Sequence, residues 1–147
     1  MAVSPQVRPE ELEELLCFDL YAASRAVTAA YRPILGELGL TYPQYLVLVV
    51  LWAREEVSIK QLAEHLRLDH GTLTPLLRRM EGAELLTRER SRSDERSVLV
   101  RLAPGGEALR PHLEDIQCRV ADALGIELPQ VVALRDLLRT VTAHLDG

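Results

Sequence analysis

Residues 58–83 read SIKQLAEHLRLDHGTLTPLLRRMEGA, and this stretch decides the fold of the 147-residue chain. Ser58 and Gln61 have the spacing of a capping box, so a short helix is predicted over residues 59–66. A tight turn leads to another helix that ends near Ala83, whose apolar face has helical spacing: Leu73, Leu76, Leu77 and Met80. Two helices joined in this way are typical of a helix-turn-helix.

Beyond this pair, the period of the apolar residues changes from helical spacing to two. One run leads up to a charged tip over residues 91–96, and an alternating run returns from it: Leu86, Arg88 and Arg90, then Val98, Val100 and Leu102. This pattern predicts a two-stranded hairpin. A helix, a turn, a second helix and a basic hairpin together predict a winged helix-turn-helix over residues 55–103.

Long helices are predicted on both sides of this unit. The first runs from Glu10 to Tyr31 and is ended or kinked by Pro33. A second, apolar nearly all round and therefore buried, follows a capping box at Thr41 and runs to about Arg54. Two more helices cover residues 104–124 and 129–144. We therefore expect one mainly α (α+β) domain over residues 1–147, with helical flanks at 10–54 and 104–147.

The net charge is −5, from 17 Lys and Arg against 22 Asp and Glu, which opposes a generally basic nucleic-acid coat. The charge is divided, however. Residues 58–101 hold nine basic against seven acidic side chains, whereas the other 103 residues hold eight against fifteen. No run approaches the ~20 apolar residues of a membrane span, and no secretory signal is recognisable, so a cytoplasmic protein without membrane contact is predicted.

The start of the second helix of the pair is the part that enters the major groove in winged helices. Candidate DNA-contacting residues there are Asp69, His70, Thr72, Thr74 and Pro75. Threonine can contact base edges and phosphates, and Pro75 must lie early in the helix because it has no N–H. Arg79, one turn later, is long enough to reach a phosphate or a guanine edge. Alternatively, the threonines only begin a helix and Arg79 is a surface cation.

Arginines of the hairpin supply the remaining candidate DNA contacts: Arg88, Arg92 and Arg96. A few well-placed cations are enough to neutralise phosphates, even in an acidic protein. Asp94 could orient Arg96 for insertion into a narrow minor groove. The alternative is a tip that is simply a solvated polar turn.

Cys17 lies on a helix face that also carries hydroxyl groups, since four residues project within about 40° of it: Tyr21, Ser24, Thr28 and Tyr31. Hydroxyl donors favour a thiolate, the reactive form of cysteine. Upstream glutamates oppose it, and Cys17 is expected to lie too far along its helix for the helix dipole to help. The pattern alone leaves two alternatives, a buried thiol that acts as a small hydrophobe, or a reactive thiol with donors from elsewhere in the fold or from a partner chain.

Several runs resemble the organic hydroperoxide resistance regulators, which are redox-sensing members of the MarR family. The runs are Leu16-Cys17-Phe18, Tyr31-Arg32-Pro33, Leu40–Leu46 (LTYPQYL), Leu68–Glu81 and Asp94–Val98. The resemblance is strong over residues 12–102 and holds only in outline for the last two helices. His70 stands where this motif usually has serine, and Ala103 stands where threonine often precedes the next helix.

The resemblance implies a homodimer that represses transcription from a pseudo-palindromic double-stranded DNA operator, with the flanking helices as the dimerisation elements. It implies that organic hydroperoxide, the inducer, oxidises Cys17. Tyr31 and Tyr42 of the other subunit, and the more local Tyr21, would hydrogen-bond the sulfur. Cys118 would then be the resolving thiol that forms an intersubunit disulfide, unless it is inert.

The residues leave three other functions to consider. A regulator of the same fold could release DNA on binding a phenolic or aromatic ligand, with Cys17 only structural. A thiol peroxidase is disfavoured because no base is apparent near Cys17, so we expect no enzyme and no cofactor. The four histidines form no ligand-spaced cluster, so no metal site is predicted.

Overall fold

The computed structural model describes residues 12–94 and 96–147 of the chain. A short 3₁₀ turn, Leu12–Glu14, comes first. The α-helices that follow are α1 (Leu16–Gly36), α2 (Tyr42–Ala53), α3 (Ile59–Leu66), α4 (His70–Gly82), α5 (Pro104–Glu107), α6 (Leu113–Leu124) and α7 (Leu128–Asp146). The strands are β1 (Glu56–Ser58), β2 (Leu86–Arg90) and β3 (Val98–Leu102). This architecture confirms the predicted mainly helical, winged helix-turn-helix class.

The wing is a small antiparallel sheet in the order β1-β3-β2. The hairpin is confirmed, with Leu86 opposite Leu102 and Arg90 opposite Val98. The sequence analysis did not predict β1, whose Val57 is buried opposite Val100. Its three residues are too few to show alternation, and Ser58 belongs both to this strand and to the cap of α3.

The hydrophobic core lies between α2, the helix-turn-helix and the sheet. α2 is the predicted central helix, and its buried residues are Tyr45, Val47, Leu48, Leu51 and Trp52. The predicted capping boxes at Thr41 and Ser58 are both confirmed, each with two hydrogen bonds to the third helical residue. α3 has the predicted bounds, and α4 ends one residue before Ala83.

The prediction for the first helix is wrong at its end. α1 continues five residues beyond Tyr31 and passes through Pro33. The helix loses one backbone hydrogen bond there, but Ile34 and Leu35 become buried in the core, which offsets the loss. The predicted start, at Glu10, lies outside the described residues; in the described part the chain is extended at Leu15 before α1 begins.

The single helix predicted over residues 104–124 is also wrong, because the structure has α5, a 3₁₀ turn at Arg110–His112 and then α6. Pro111 lies in that turn and has no N–H to continue an α-helix. Gly106 packs so closely that a Cβ there would lie 2.2 Å from the Leu85 carbonyl oxygen. Because Gly106 has no side chain, α5 can pack closely against the start and end of the hairpin at Leu85 and Leu102.

The terminal helices contrast with this core. α7 has no buried residue, and α1 has buried residues only at its C-terminal end: Tyr31, Ile34 and Leu35. Most of the large exposed apolar side chains are on these two helices or on the turns next to them. Within residues 12–94 and 96–147, no helix combines the length and apolar character needed to cross a bilayer.

Candidate DNA interface and thiol sites

The N-terminus of α4 is fixed by Asp69, the residue before the helix. Its carboxylate accepts a hydrogen bond of 2.7 Å from the Thr72 backbone N–H. Hydrogen bonds from Thr72 lower the pKa of Asp69, with His70 contributing less. Asp69, one of the predicted DNA contacts, is thus the N-cap of α4, and it orients the residues that follow it in the first turn of the helix.

A groove of about 410 Å³ lies between the starts of α3 and α4 and the tip of the wing. His70 and Thr74 line it from α4, and Arg96 lines it from the wing. Lys60 adds a second cation from the first turn of α3, and the sequence analysis missed it as a site residue. The sequence contains a signal that could have identified Lys60, because the capping box at Ser58 places this lysine on the first exposed turn of α3.

Pro75, Thr72 and Arg79 are all on the outside of α4, which buries its opposite face. Pro75 is the sixth residue of the helix, so it lies in the second turn rather than the first. The helix continues through it because Leu73, Leu76 and Leu77 are buried on either side. The exposed face of α4 thus presents the predicted residues together.

The structure separates the predicted wing arginines. Arg96 lines the groove beside α4, whereas Arg92 lines a larger groove of about 1050 Å³ that β1, the start of α3 and the wing enclose. Asp94 lines both, and its carboxylate accepts a 3.0 Å hydrogen bond from the backbone N–H of Arg96. Asp94 therefore shapes the backbone of the tip at Arg96.

Arg88 is placed differently, since it turns back to the last part of α4. Its guanidinium Nη2 lies 3.2 Å from Glu81 Oε1, and its backbone N–H donates to Glu81 Oε2 at 3.0 Å. The Arg88 hydrogen bonds lower the pKa of Glu81. The structure thus brings Arg88 to an internal carboxylate.

Three tyrosines meet where α1 ends and α2 begins. The ring centroid of Tyr31 lies 4.6 Å from that of Tyr42 and 5.6 Å from that of Tyr45. Burial, followed by the neighbouring tyrosines, raises the pKa of Tyr31 from its ordinary 10.0 to about 12. Its phenol is therefore a neutral hydrogen-bond donor throughout the physiological range.

Cys17 lies at the other end of α1 from this tyrosine cluster (Tyr31, Tyr42 and Tyr45). The expectation that it lies too far along its helix to feel the dipole is wrong, because α1 begins at Leu16 and Cys17 is its second residue. The positive end of a helix dipole favours an anion there, although Asp19 in the same turn opposes it. The Cys17 side chain is exposed, as is Tyr21 one turn later.

Cys118 is exposed on α6, between two residues that tie this helix to the end of α1 and to α2. Gln117 Nε2 donates a hydrogen bond to the hydroxyl of Tyr45. Arg119 makes two hydrogen bonds to Glu37, of 2.8 and 3.0 Å, which lower the pKa of the Glu37 carboxyl. Cys118 thus belongs to the tyrosine-cluster end of the molecule.

No three His, Cys, Asp or Glu side chains of the described residues are grouped so that they could hold a metal ion.

A winged helix-turn-helix with a cation-lined groove beside its second helix defines a class, the DNA-binding transcriptional regulators. The MarR family model matches residues 40–98. Over 106 residues the chain is 52% identical to the organic hydroperoxide resistance transcriptional regulator of Bacillus subtilis, with 72% of each chain covered. The chain belongs to the MarR family and is a DNA-binding transcriptional regulator, which confirms the resemblance stated from its motifs.

Solved structures support the same assignment. The reduced AbfR of Staphylococcus epidermidis bound to DNA has a TM-score of 0.75 and 30% identity, and the match covers 90% of this chain and 92% of that one. The disulfide-formed AbfR has a TM-score of 0.66 and 33% identity, with 90% of each chain covered. These relatives are regulators rather than enzymes.

Proposed function

We propose that this protein is a homodimeric, redox-sensing repressor that leaves its pseudo-palindromic operator when organic hydroperoxide oxidises Cys17. The observation that carries the proposal is the separation of the thiol from its hydrogen-bond donors within one chain. Tyr31 follows Cys17 by 14 residues on α1, which is about 21 Å along the helix axis at ~1.5 Å per residue. The phenols of Tyr31 and Tyr42 therefore cannot reach the sulfur of their own chain.

A second copy solves this separation. If two α1 helices lie antiparallel across a twofold axis, the Cys17 end of each meets the tyrosine end of the other. The exposed apolar residues of α1 and α7 supply the surface that such a dimer would bury. The most exposed of them are Leu16, Leu128, Leu137 and Leu145.

The position of Cys118 supports a role for it in the same proposal. Gln117 ties its helix to Tyr45, so Cys118 lies at the tyrosine end of its own chain, away from its own Cys17. The Cys118 that Cys17 could reach is the one in the partner. This arrangement supports an intersubunit disulfide in the proposed dimer, and the structure of a disulfide-formed AbfR, at 33% identity, is consistent with it.

The proposed chemistry has two steps. The Cys17 thiolate attacks the distal peroxide oxygen, the O–O bond breaks, and the alkoxide takes a proton to leave as an alcohol, with the sulfur left as sulfenic acid. The Cys118 thiol of the partner then attacks that sulfur, and the sulfenic hydroxyl leaves as water with the thiol proton. Forming this bond pulls on α6, which Gln117 and Arg119 hold against Tyr45 and Glu37.

The test is DNA affinity with and without cumene hydroperoxide, on a duplex selected from a random library by the reduced protein. We expect oxidation to weaken binding by the wild type at least tenfold and to leave Cys17→Ser bound. Release of Cys17→Ser by hydroperoxide would contradict the proposal. Release of both proteins by a phenol without peroxide would support ligand control instead.

A further inference from the structure

Arg88 carries a second inference, because the contacts of this wing arginine are internal. β2 is an edge strand, so the outer row of its backbone N–H groups has no neighbouring strand. The Arg88 N–H donates to a carboxylate oxygen of Glu81, and the Arg88 guanidinium contacts the other oxygen of the same group. One carboxylate thereby joins the recognition helix α4 to the wing.

The partial burial of Arg88 supports an internal role for its guanidinium. The Arg88 side chain is 23% exposed and that of Glu81 is 39% exposed. The Nε atom of Arg88 is buried and has no hydrogen-bond partner among the described residues. A guanidinium that binds a phosphate needs N–H donors that are accessible at the surface.

The connection lies at a sharp junction. Between α4 and β2 the chain turns through Glu84, which has a left-handed φ of +61°, and Leu85 N–H donates to the Met80 carbonyl. The hydrophobic core holds the base of the wing, where Leu86 and Val100 are buried. The Glu81–Arg88 pair adds a polar contact that ties the end of α4 directly to β2.

We propose that Glu81 and Arg88 are positioning residues for DNA recognition, which hold the wing at the angle to α4 at which both reach one duplex. Neither residue contacts DNA. The proposal uses the DNA-binding class of the protein and is independent of its redox control. It gives Arg88 a role other than the direct DNA contact that the sequence pattern predicts.

The sign of the mutational effect separates this proposal from simple electrostatics. Removal of a carboxylate from a DNA-binding lobe should, by charge alone, strengthen binding to a polyanion. We expect Glu81→Ala to weaken binding to the selected duplex about tenfold. Glu89→Ala is the matched control, because it removes the same charge from the neighbouring residue of β2, and we expect its affinity to be equal or slightly higher.

A loss of stability alone must be distinguished from a loss of alignment. Binding is therefore measured below the unfolding temperature of each variant, on the selected duplex and on a scrambled one. Misalignment lowers the ratio of these two affinities about tenfold, whereas partial unfolding lowers both affinities equally. Glu81→Gln, which keeps an acceptor for the Arg88 N–H, should lose less of the ratio than Glu81→Ala.

The salt dependence completes the test. Loss of a phosphate contact reduces the slope of log affinity against log salt concentration by about one. We expect Arg88→Ala to lower the affinity ratio and leave this slope unchanged. A slope reduced by about one would make Arg88 a phosphate contact and would overturn the proposal. The proposal would also fail if Glu81→Ala bound the selected duplex as tightly as Glu89→Ala. An equal loss of affinity for the selected and the scrambled duplex would contradict it as well.

Discussion

The winged lobe (α2 to β3) and the terminal helices (α1 and α7) use similar apolar residues in different ways. In the lobe these side chains are buried by the same chain, as Leu62, Leu77 and Val100 show. On α7 none is buried, although Leu128, Leu134 and Leu138 would suit a core. The chain therefore buries the apolar side chains of its winged lobe itself and leaves those of α7 exposed.

This difference matters for function because the two proposed halves of the sensor lie at opposite ends of the uncovered region. The Cys17 end of α1 is exposed, whereas the Tyr31 end is anchored in the core. In the proposed dimer, oxidation of Cys17 would act on the helices that set the distance between the two lobes, and would thereby change DNA binding.

The largest expected effect is on the terminal helices. Leu134→Asp places a carboxylate on the apolar face of α7, and in a twofold interface it does so twice. We expect the dissociation constant of the dimer to rise about thousandfold, which is ~4 kcal/mol of dimerisation free energy. Sedimentation at several concentrations measures it. The mass should fall toward the 16.5 kDa of one chain.

The control for this variant is Ala143→Asp, nine residues later and therefore about 180° around the helix. It adds the same charge to the opposite face, where we expect the wild-type mass. If Leu134→Asp kept the dimer mass as Ala143→Asp does, α7 would not form the interface.

The next effect is on the lobe. Gly106→Ala would place its Cβ 2.2 Å from the Leu85 carbonyl oxygen and 2.8 Å from a Leu102 methyl group. It would also disturb the Gly106 carbonyl, which accepts a hydrogen bond from the Trp52 indole. We expect the free energy of unfolding to fall by about 3 kcal/mol in urea denaturation.

Gly82→Ala is the control for the lobe, since a Cβ at Gly82 meets no atom within 4 Å. Alanine at this helical position should leave stability unchanged or raise it by up to ~1 kcal/mol. A Gly106→Ala protein as stable as wild type would show that the packing of α5 on the wing tolerates change.

A smaller effect is expected at the tip of the wing. Arg96 is exposed and lines the groove beside α4. Arg96→Ala should weaken DNA binding about tenfold and reduce the salt slope by about one, as fluorescence anisotropy at several salt concentrations would show. An unchanged slope would remove Arg96 from the interface.

The smallest effect appears only in alkali. Because the pKa of Tyr31 is raised to about 12 in the folded protein, folding keeps the phenol protonated. This contribution to stability is complete below pH ~10, where an unfolded tyrosine titrates, and is lost as pH rises toward about 12. The alkaline loss of stability should therefore be smaller in Tyr31→Phe than in Tyr21→Phe, and an equal loss in both would contradict the burial of Tyr31.

The lobe was largely predictable from sequence because its signals are local. The capping boxes at Thr41 and Ser58 and the alternation from Val98 to Leu102 each identify an element within a few residues. The wrong predictions arise where a local sequence signal competes with packing between distant parts of the chain. Pro33 indicated a helix end, but burial of Leu35 in the core outweighs the lost hydrogen bond, and sequence spacing does not reveal such tertiary packing.

The candidate sites show the same limit. The sequence predicts the arginines of the wing as one group of DNA contacts, yet only the fold shows that Arg88 meets Glu81 while Arg92 and Arg96 line different grooves. The position of Cys17 at a helix start also depended on the break at Leu15, which no proline or glycine marks. The roles of both cysteines and their tyrosines remain predictions.

The central claim is that each thiol sensor is completed by the partner's helices, and a mixed dimer tests it most directly. Cys17→Ser and Cys118→Ser chains, carrying different tags, are co-expressed, purified as the heterodimer, oxidised with cumene hydroperoxide and run on a non-reducing gel. We expect a covalent dimer in the mixture, through its single Cys17–Cys118 pair, and none in either variant alone. A mixture that stays monomeric on the gel, or a covalent dimer of Cys118→Ser alone, would contradict it.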